Sequence, residues 1–182
     1  MNNDISLRPV QISDLDKVLG WRNDKRIRQH MFNSNLIKQE DHRAWFKKVS
    51  SDPNYHVLMV LRANIPFGFA QLQLSRCSTI ADWGFYVDPD GPAGQGKALG
   101  RVVLSYGFEH LSLHRITGRV LSENLPSINF HRHLGFVDEG ILRLHHYTKN
   151  GYQDVCLFGL LSDEWTVRCV TSNNKARNNG VD

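Results

Sequence analysis

The stretch that decides the fold is GPAGQGKALGRVVLSYGFEHL, Gly91 to Leu111. A glycine-rich loop runs directly into an apolar-periodic segment, predicted to be a helix from Leu99 to about Leu111. Small residues at a helix start let the backbone come close to an anion, and the unpaired N–H groups of the first turn point at it. Two familiar phosphate loops fail here. Gly91, Gly96 and Lys97 nearly satisfy G-x-x-x-x-G-K-[ST], but Ala98 stands where a hydroxyl is needed for Mg²⁺. The loop also follows hairpin strands rather than a first parallel strand. GQGKALG has the wrong glycine spacing for a dinucleotide fingerprint, with no suitable acidic strand end downstream.

Around that loop the chain reads as strand, two helices, three strands, helix, strand, helix, two strands. SLRPVQ is the first strand. Ser13 is expected to cap a helix carrying Asp14, Asp16, Leu15, Val18, Leu19 and Trp21, followed by the basic run RNDKRIRQH. IKQEDHRAWFKKV is a second helix. HVLMVLRA and FGFAQLQLS form a hairpin joined at NIPF, and IADWGFYV is a strand ended by DPDGP. RITGRVL is a strand. SENLPSINFHRHLGF is a short helix with Pro126 near its first position and Gly135 past its end. GILRLHHYTKNGYQDVCLFGLL is a long hairpin turning at KNG. A run of strands in the middle argues for a mixed sheet flanked by helices, not a doubly wound parallel one.

The chain has 182 residues, enough for one domain, here residues 1–165, with a polar tail at 166–182. Hydrophobic residues at 41% and charged residues at 22% place it among globular chains. No apolar run approaches a membrane span, and MNNDISLRPV has no signal-peptide core. Cys77, Cys156 and Cys169 have neither metal spacing nor an even count, so a reduced, cytoplasmic protein is expected. A formal charge of +4 suits an anionic ligand and is too small to argue for nucleic acid. His131, His133, His145 and His146 lack supplementing ligands at useful spacing, so no metal is expected.

Gln95, Gly96, Lys97, Ala98, Leu99 and Gly100 match Q/R-x-x-G/A-x-G/A, which resembles the coenzyme A pyrophosphate loop of the GNAT acetyltransferases. WGFYVDPD before it is similar to that family's fourth strand, and NLPSINFHRHLGF to its later N-x-x-S/A segment, with Asn124, Ser127, Gly135 and Phe136. The resemblance covers roughly Leu7 to Trp165. It implies a mixed α/β fold: a mostly antiparallel sheet of about seven strands, splayed between the fourth and fifth. It also implies acetyl-CoA as co-substrate, its pantetheine in the gap against backbone groups of Phe85, Tyr86 and Val87, with Asn124, Ser127 and His131 beside it.

Acetyl transfer to an amine needs a neutral nucleophile, close positioning, a donor for the oxyanion and a proton for the leaving thiolate. Many relatives carry a Tyr seven residues after the Asn as that proton donor; here the position is His131. Ser127 and His131 lie four apart, on one helix face. His131 is therefore a candidate proton donor, with a packed histidine bonded to a carbonyl as the alternative. Asp82, on the fourth strand with Gly84 and Tyr86 on the same face, is a candidate base; a backbone-relayed water would also serve.

The chain ends resemble the RimJ/RimL branch, whose members acetylate protein N-termini, polyamines, antibiotics or amino sugars. GWRNDKRIRQHMFNSNLIKQEDHRAWF and HLGFVDEGILRLHHYTKNGYQDVCLFGLLSDEW are similar to the PseH-type enzymes, which act on UDP-4-amino-4,6-dideoxy-N-acetyl-β-L-altrosamine in pseudaminic acid biosynthesis, a route to flagellin glycosylation. A UDP-amino sugar acceptor is implied, with Trp21, Arg22, His30, Met31 and Phe32 as its contacts and Lys25, Arg26 and Arg28 available to phosphate. Trp45 and Phe46 read better as core. A RimJ/RimL-type protein N-terminal or small-amine acetyltransferase stays open, as does a non-catalytic acetyl-CoA-binding module, and the chain is compatible with a homodimer.

Overall fold

The computed structural model of the chain describes residues 5–167. Its seven strands are β1 (Ile5–Pro9), β2 (Tyr55–Arg62), β3 (Ile65–Leu74), β4 (Ile80–Val87), β5 (Arg115–Leu121), β6 (Val137–Thr148) and β7 (Gly151–Leu161). They lie in the order β1-β2-β3-β4-β5-β7-β6. The helices are α1 (Leu15–Asn23), α2 (Lys25–Arg28), α3 (Gln39–Ser50), α4 (Gln95–Ser105) and α5 (Leu125–Leu134). All strand pairs are antiparallel except β4–β5. The expected mixed sheet flanked by helices is what forms. The polar tail expected at 166–182 lies almost wholly outside the described residues, as does Cys169; residues 162–167 are helical.

The parallel pair positions the site. Only Ile80, Ala81 and Asp82 pair with Arg115, Ile116 and Thr117; beyond Asp82 the two strands separate. From Trp83 onward one edge of β4 therefore faces a gap. Alternation fixes which groups do so. Asp88 N–H donates to Phe67 O on the β3 side, and Ile80 O accepts from Ser75 on that same side. Even-numbered residues of β4 thus spend their backbone groups on β3, and Trp83, Phe85 and Val87 turn theirs to the gap. Tyr86, expected among the pantetheine contacts, has its backbone on the wrong edge for that role.

Each face of the sheet has its own core. One buries Leu72, Trp83, Leu99, Val103, Leu104, Phe136 and Phe158 under α4 and α5. The other buries Val18, Trp21, Phe46, Val49, Met59 and Phe69 under α1 and α3. Each fully buried leucine or phenylalanine contributes about 1.5–3 kcal/mol relative to exposure. Trp21 is 7% exposed and belongs to this second core, not to the substrate contacts it was expected to join. Its spacing from Leu15 and Val18 places it on the inward face of α1.

Local chemistry corrects several boundaries. Ser13 lies inside a 3₁₀ turn, Ile12–Asp14, and caps nothing; Gln11 precedes the turn, and the Asp14 carboxylate accepts from its N–H at 2.8 Å. Arg8 holds the same carboxylate at 2.6 and 2.9 Å and depresses its pKa. The basic run after α1 is broken at Asp24, which caps α2 by accepting from Arg26 N–H at 2.8 Å. The β2–β3 turn is Ala63–Asn64, with φ of 47° and 65°, the twist a two-residue hairpin needs. α4 starts at Gln95, four residues before the predicted Leu99, because Gly94 at φ 87° ends the loop in a left-handed conformation. Its end widens into a π turn, Tyr106–His110.

Candidate active site

The gap between β4 and β5 opens into a groove of about 530 Å³, walled by Trp83–Val87, Gly96, Asn124, Ser127, Phe130 and His131. In its wall Phe85 packs on Phe130 with ring centroids 4.7 Å apart. Beside Phe130 stands the first turn of α4. Gly94 caps the helix, so the N–H groups of Gly94, Gln95, Gly96 and Lys97 have no intrahelical acceptor. Gly96 opens on the groove, and a Cβ there would meet only Phe130, at 3.4 Å. These free donors, with the helix dipole behind them, fit a pyrophosphate.

The rest of the predicted loop serves packing. Leu99 and Gly100 are buried, and by helical geometry their N–H groups already bond to Gln95 and Gly96 carbonyls. Gly100 is small because α5 crosses there: a Cβ would come within 2.5 Å of Leu134 Cδ1 and 2.9 Å of Phe130 Cζ. The Gln95 side chain is buried, its amide tucked against Gly91, with Oε1 left without a partner. Lys97 is exposed and Ala98 half-buried. Of the six motif residues, Gln95, Gly96 and Lys97 carry the free amides.

Asn124 caps α5 by accepting from Ser127 N–H at 3.2 Å, and both residues line the groove. His131 is 2% exposed. Its Nδ1 lies 2.7 Å from Ser127 O, which only accepts, so Nδ1 carries the proton. Its Nε2 then accepts from the Trp83 indole N–H at 3.0 Å. Burial pushes its pKa down to about 4. Both nitrogens are committed and the ring is neutral, which corrects the expectation of a proton donor: His131 has no free proton to give. The alternative weighed for it, a packed histidine bonded to a carbonyl, matches this geometry.

Asp82 sits at the last β4–β5 bridge, where the strands part. It is 53% exposed at its side chain, accepts from Thr117 Oγ1, and lies 3.8 Å from Arg119. Those partners engage its carboxylate at the mouth of the groove.

On the opposite face of β4 a second cavity of about 260 Å³ reaches under α1 and α3. Arg22, Met31, His42, Trp45, Phe69 and Tyr86 line it, with Gly84 and Phe85. Trp45 packs half-buried against the second core and also forms part of this wall; Phe46 is core as expected. Tyr86 stacks on Phe69 at 4.7 Å, and burial raises its hydroxyl pKa. Arg22 donates from Nη2 to Asn33 O at 2.6 Å, while its Nη1 is buried with no partner. Burial lowers its pKa. His42 is 4% exposed; its ring hydrogen-bonds to no described residue, and its nitrogens, not fully buried, open on this cavity. The sequence signal for it was available: His42 precedes Phe46 by four and Val49 by seven, on the inward stripe of α3.

His30, Met31 and Phe32 border the groove, and beyond them a third cavity of about 800 Å³ lies between the loop after α2 and the β6–β7 hairpin. Phe32 meets His146 of that hairpin edge-on at 5.1 Å. Met31 lines all three cavities. Among the described residues no group of three or more His, Cys, Asp or Glu could hold a metal, and no helix is long and apolar enough to cross a membrane.

Known proteins are similar to this chain in sequence and fold. The chain is 35% identical over 86 residues to the SPbeta prophage-derived uncharacterized N-acetyltransferase YokL of Bacillus subtilis, matching 46% of this chain and spanning 49% of that relative's length. It is 24% identical over 131 residues to Acetyltransferase PseH of Campylobacter jejuni, covering 69% of this chain and 80% of PseH. A spermidine N-acetyltransferase from Vibrio cholerae, solved in complex with CoA and spermine, superposes with a TM-score of 0.84 at 23% identity, over 91% of this chain and 99% of that one. At that identity the likeness shows the fold. Residues 4–137 match the family described as Acetyltransferase (GNAT) domain, and with the splayed β4–β5 pair and the free amides of α4 in place, the chain belongs to the GNAT acetyltransferase family.

Proposed function

We propose that this chain transfers the acetyl group of acetyl-CoA to a free amine on a UDP-linked 4-amino-4,6-dideoxy sugar. The CoA pyrophosphate takes the amides of Gln95, Gly96 and Lys97, and the pantetheine runs along Phe85 and Val87 backbone groups. One of those N–H groups faces the thioester oxygen and stabilises it as charge develops. Asn124 and Ser127 border the same path.

The observation that carries the acceptor is Arg22. A buried guanidinium N–H without a partner costs about 1–3 kcal/mol or more, which an acceptor oxygen of the substrate recovers. The protonated nitrogens of a polyamine offer Arg22 no acceptor and are repelled by it, with Asp41 of the same cavity the one carboxylate opposing this. The walls agree in sign. The 800 Å³ cavity carries Lys25, Arg28 and Lys149 against Glu123, whereas Arg26 in the groove, expected to be available to phosphate, is already paired with Asp24 and Asp90. Lys25, Arg28 and Lys149 suit a diphosphate, with the methyl of a deoxy sugar against Met31, Trp45 and Phe69. The sequence segments similar to the PseH-type enzymes support the same choice.

Remote binding of the UDP portion then positions the amine. The test compares kcat/KM for the UDP-linked amino sugar, the bare amino sugar, spermidine and a peptide with a free N-terminus, following release of the CoA thiol. The UDP-linked sugar should lead by about tenfold or more, and Arg22→Ala should cost it about 10- to 100-fold and the bare sugar less. Equal turnover of spermidine or peptide sinks the acceptor assignment. No thiol release with any amine would leave a module that only binds acetyl-CoA.

A further inference from the structure

The 260 Å³ cavity is lined, besides Arg22, by a second polar group, the His42 imidazole. His42 is buried to 4% exposure between α3 and α1, stacked on Trp45 with ring centroids 5.2 Å apart and planes 26° apart. A buried imidazole normally bonds through at least one nitrogen, as His131 does through both. His42 hydrogen-bonds to no described residue, and its ring nitrogens are not fully buried, so they open on the cavity it lines with Gly84 and Phe85, the part of β4 against which the thioester would lie. Its position on the inward stripe of α3 keeps the ring facing β4 rather than solvent.

We propose that His42 is the proton acceptor for the substrate amine, a role that rests on the acetyl-transfer reading but not on which amine is used. The amine nitrogen attacks the thioester carbonyl and the C–N bond forms. The C–S bond breaks, and its electron pair stays on sulfur. The proton lost by the amine nitrogen moves to the unprotonated nitrogen of His42, and from the imidazolium to solvent through the open cavity. The CoA thiolate takes its proton from water, since Ser127 and Trp83 hold both nitrogens of His131. Net, amine and thioester become amide and thiol with no other reactant.

The surroundings keep His42 in the form that can accept. Burial lowers its pKa, Arg22 on α1 pushes the same way, and Asp16 on α1 opposes both. Asp41 on α3 and Tyr86 and Gln71 from the sheet complete the lining. Asp82, the other candidate base, is on the far side of Gly84 with its carboxylate held by Thr117.

The test is His42→Gln, which keeps a similar volume and an acceptor oxygen but cannot take up a proton. Wild-type kcat should fall on the acid side through a pKa below about 6.5. In the variant kcat should drop by about 100-fold and lose that limb, with CoA affinity by calorimetry unchanged to about twofold. Activity within about threefold of wild type, or an unaltered acid limb, overturns the assignment. Should the variant not fold, NMR titration of the His42 ring in the wild type decides: the ring must titrate where kcat does, and a mismatch overturns it equally. The measurements run on the UDP-linked sugar, spermidine and a simple primary amine. Failure of the sugar assignment changes which of these reacts, whereas failure of His42 leaves every reactive amine insensitive to the substitution.

Discussion

Acid should destabilise this fold through His131 in a calculable way. The ring is 2% exposed, neutral, and bonded at both nitrogens, and its pKa stands at about 4 against an ordinary 6.5. The unfolded chain therefore binds a proton at this residue between pH 6.5 and 4 that the folded chain refuses. Above that window His131 is neutral in both states and costs nothing; as pH falls through it, stability is lost. The full loss is about 3 kcal/mol, and roughly 2 kcal/mol of it has gone by about pH 5. For a chain of this size 2 kcal/mol corresponds to about 4–8 °C in Tm. His42 and His56 are also pushed down by burial, so the wild-type curve alone does not isolate the effect. His131→Gln removes the titration while its amide can still reach Ser127 O. Urea unfolding at about pH 7.5 and pH 5 should show the variant less stable than wild type at the higher pH, with the gap narrowing by about 2 kcal/mol at the lower one. Parallel curves, or an NMR pKa for His131 near 6.5, would show that the two hydrogen bonds do not hold the ring neutral.

Two further substitutions separate the roles mixed in the Gln95–Gly100 segment. Gly96→Asp meets only ordinary contact with Phe130, so the fold should survive while the new carboxylate repels the CoA pyrophosphate; calorimetry should show affinity falling by about tenfold or more. Gly100→Ala should do the reverse, lowering stability by about 1–3 kcal/mol in denaturant through the clash with Leu134 and Phe130, with CoA affinity in the surviving fold nearly unchanged.

The sheet was legible because its evidence is local. Alternation in HVLMVLRA, FGFAQLQLS and IADWGFYV marks strands wherever they fold, and turn residues mark their ends. The start of α4 was not, because Gly96 and Gly100 each weigh against helix by about 1 kcal/mol and the sequence does not show what repays it. The structure does: Gly100 admits α5, and Leu99 packs so closely on Gly68 of β3 that a Cβ there would collide with it. Trp21 was misassigned although its spacing from Val18 was in plain view, since an aromatic beside a basic run reads equally as a ligand contact or as core. His42 went unnoticed in a segment read only for its apolar positions.

The role of His131 shows a different limit. Its spacing from Ser127 was read correctly, and that spacing is what disarms it: four residues along a helix place Nδ1 against the Ser127 carbonyl. The second half of the constraint comes from Trp83, forty-eight residues away and across the gap, and no local pattern reports it. Where the resemblance puts a tyrosine hydroxyl, this chain has a ring locked into the core under β4. A proton donor there is then missing from one face of β4, while the opposite face gathers Arg22, His42 and Tyr86 around a cavity with a buried donor, Arg22 Nη1, left over. Among the buried polar atoms that folding leaves unsatisfied, Arg22 Nη1 lies in the cavity on the α1–α3 side of the strand, where a substrate can supply its partner.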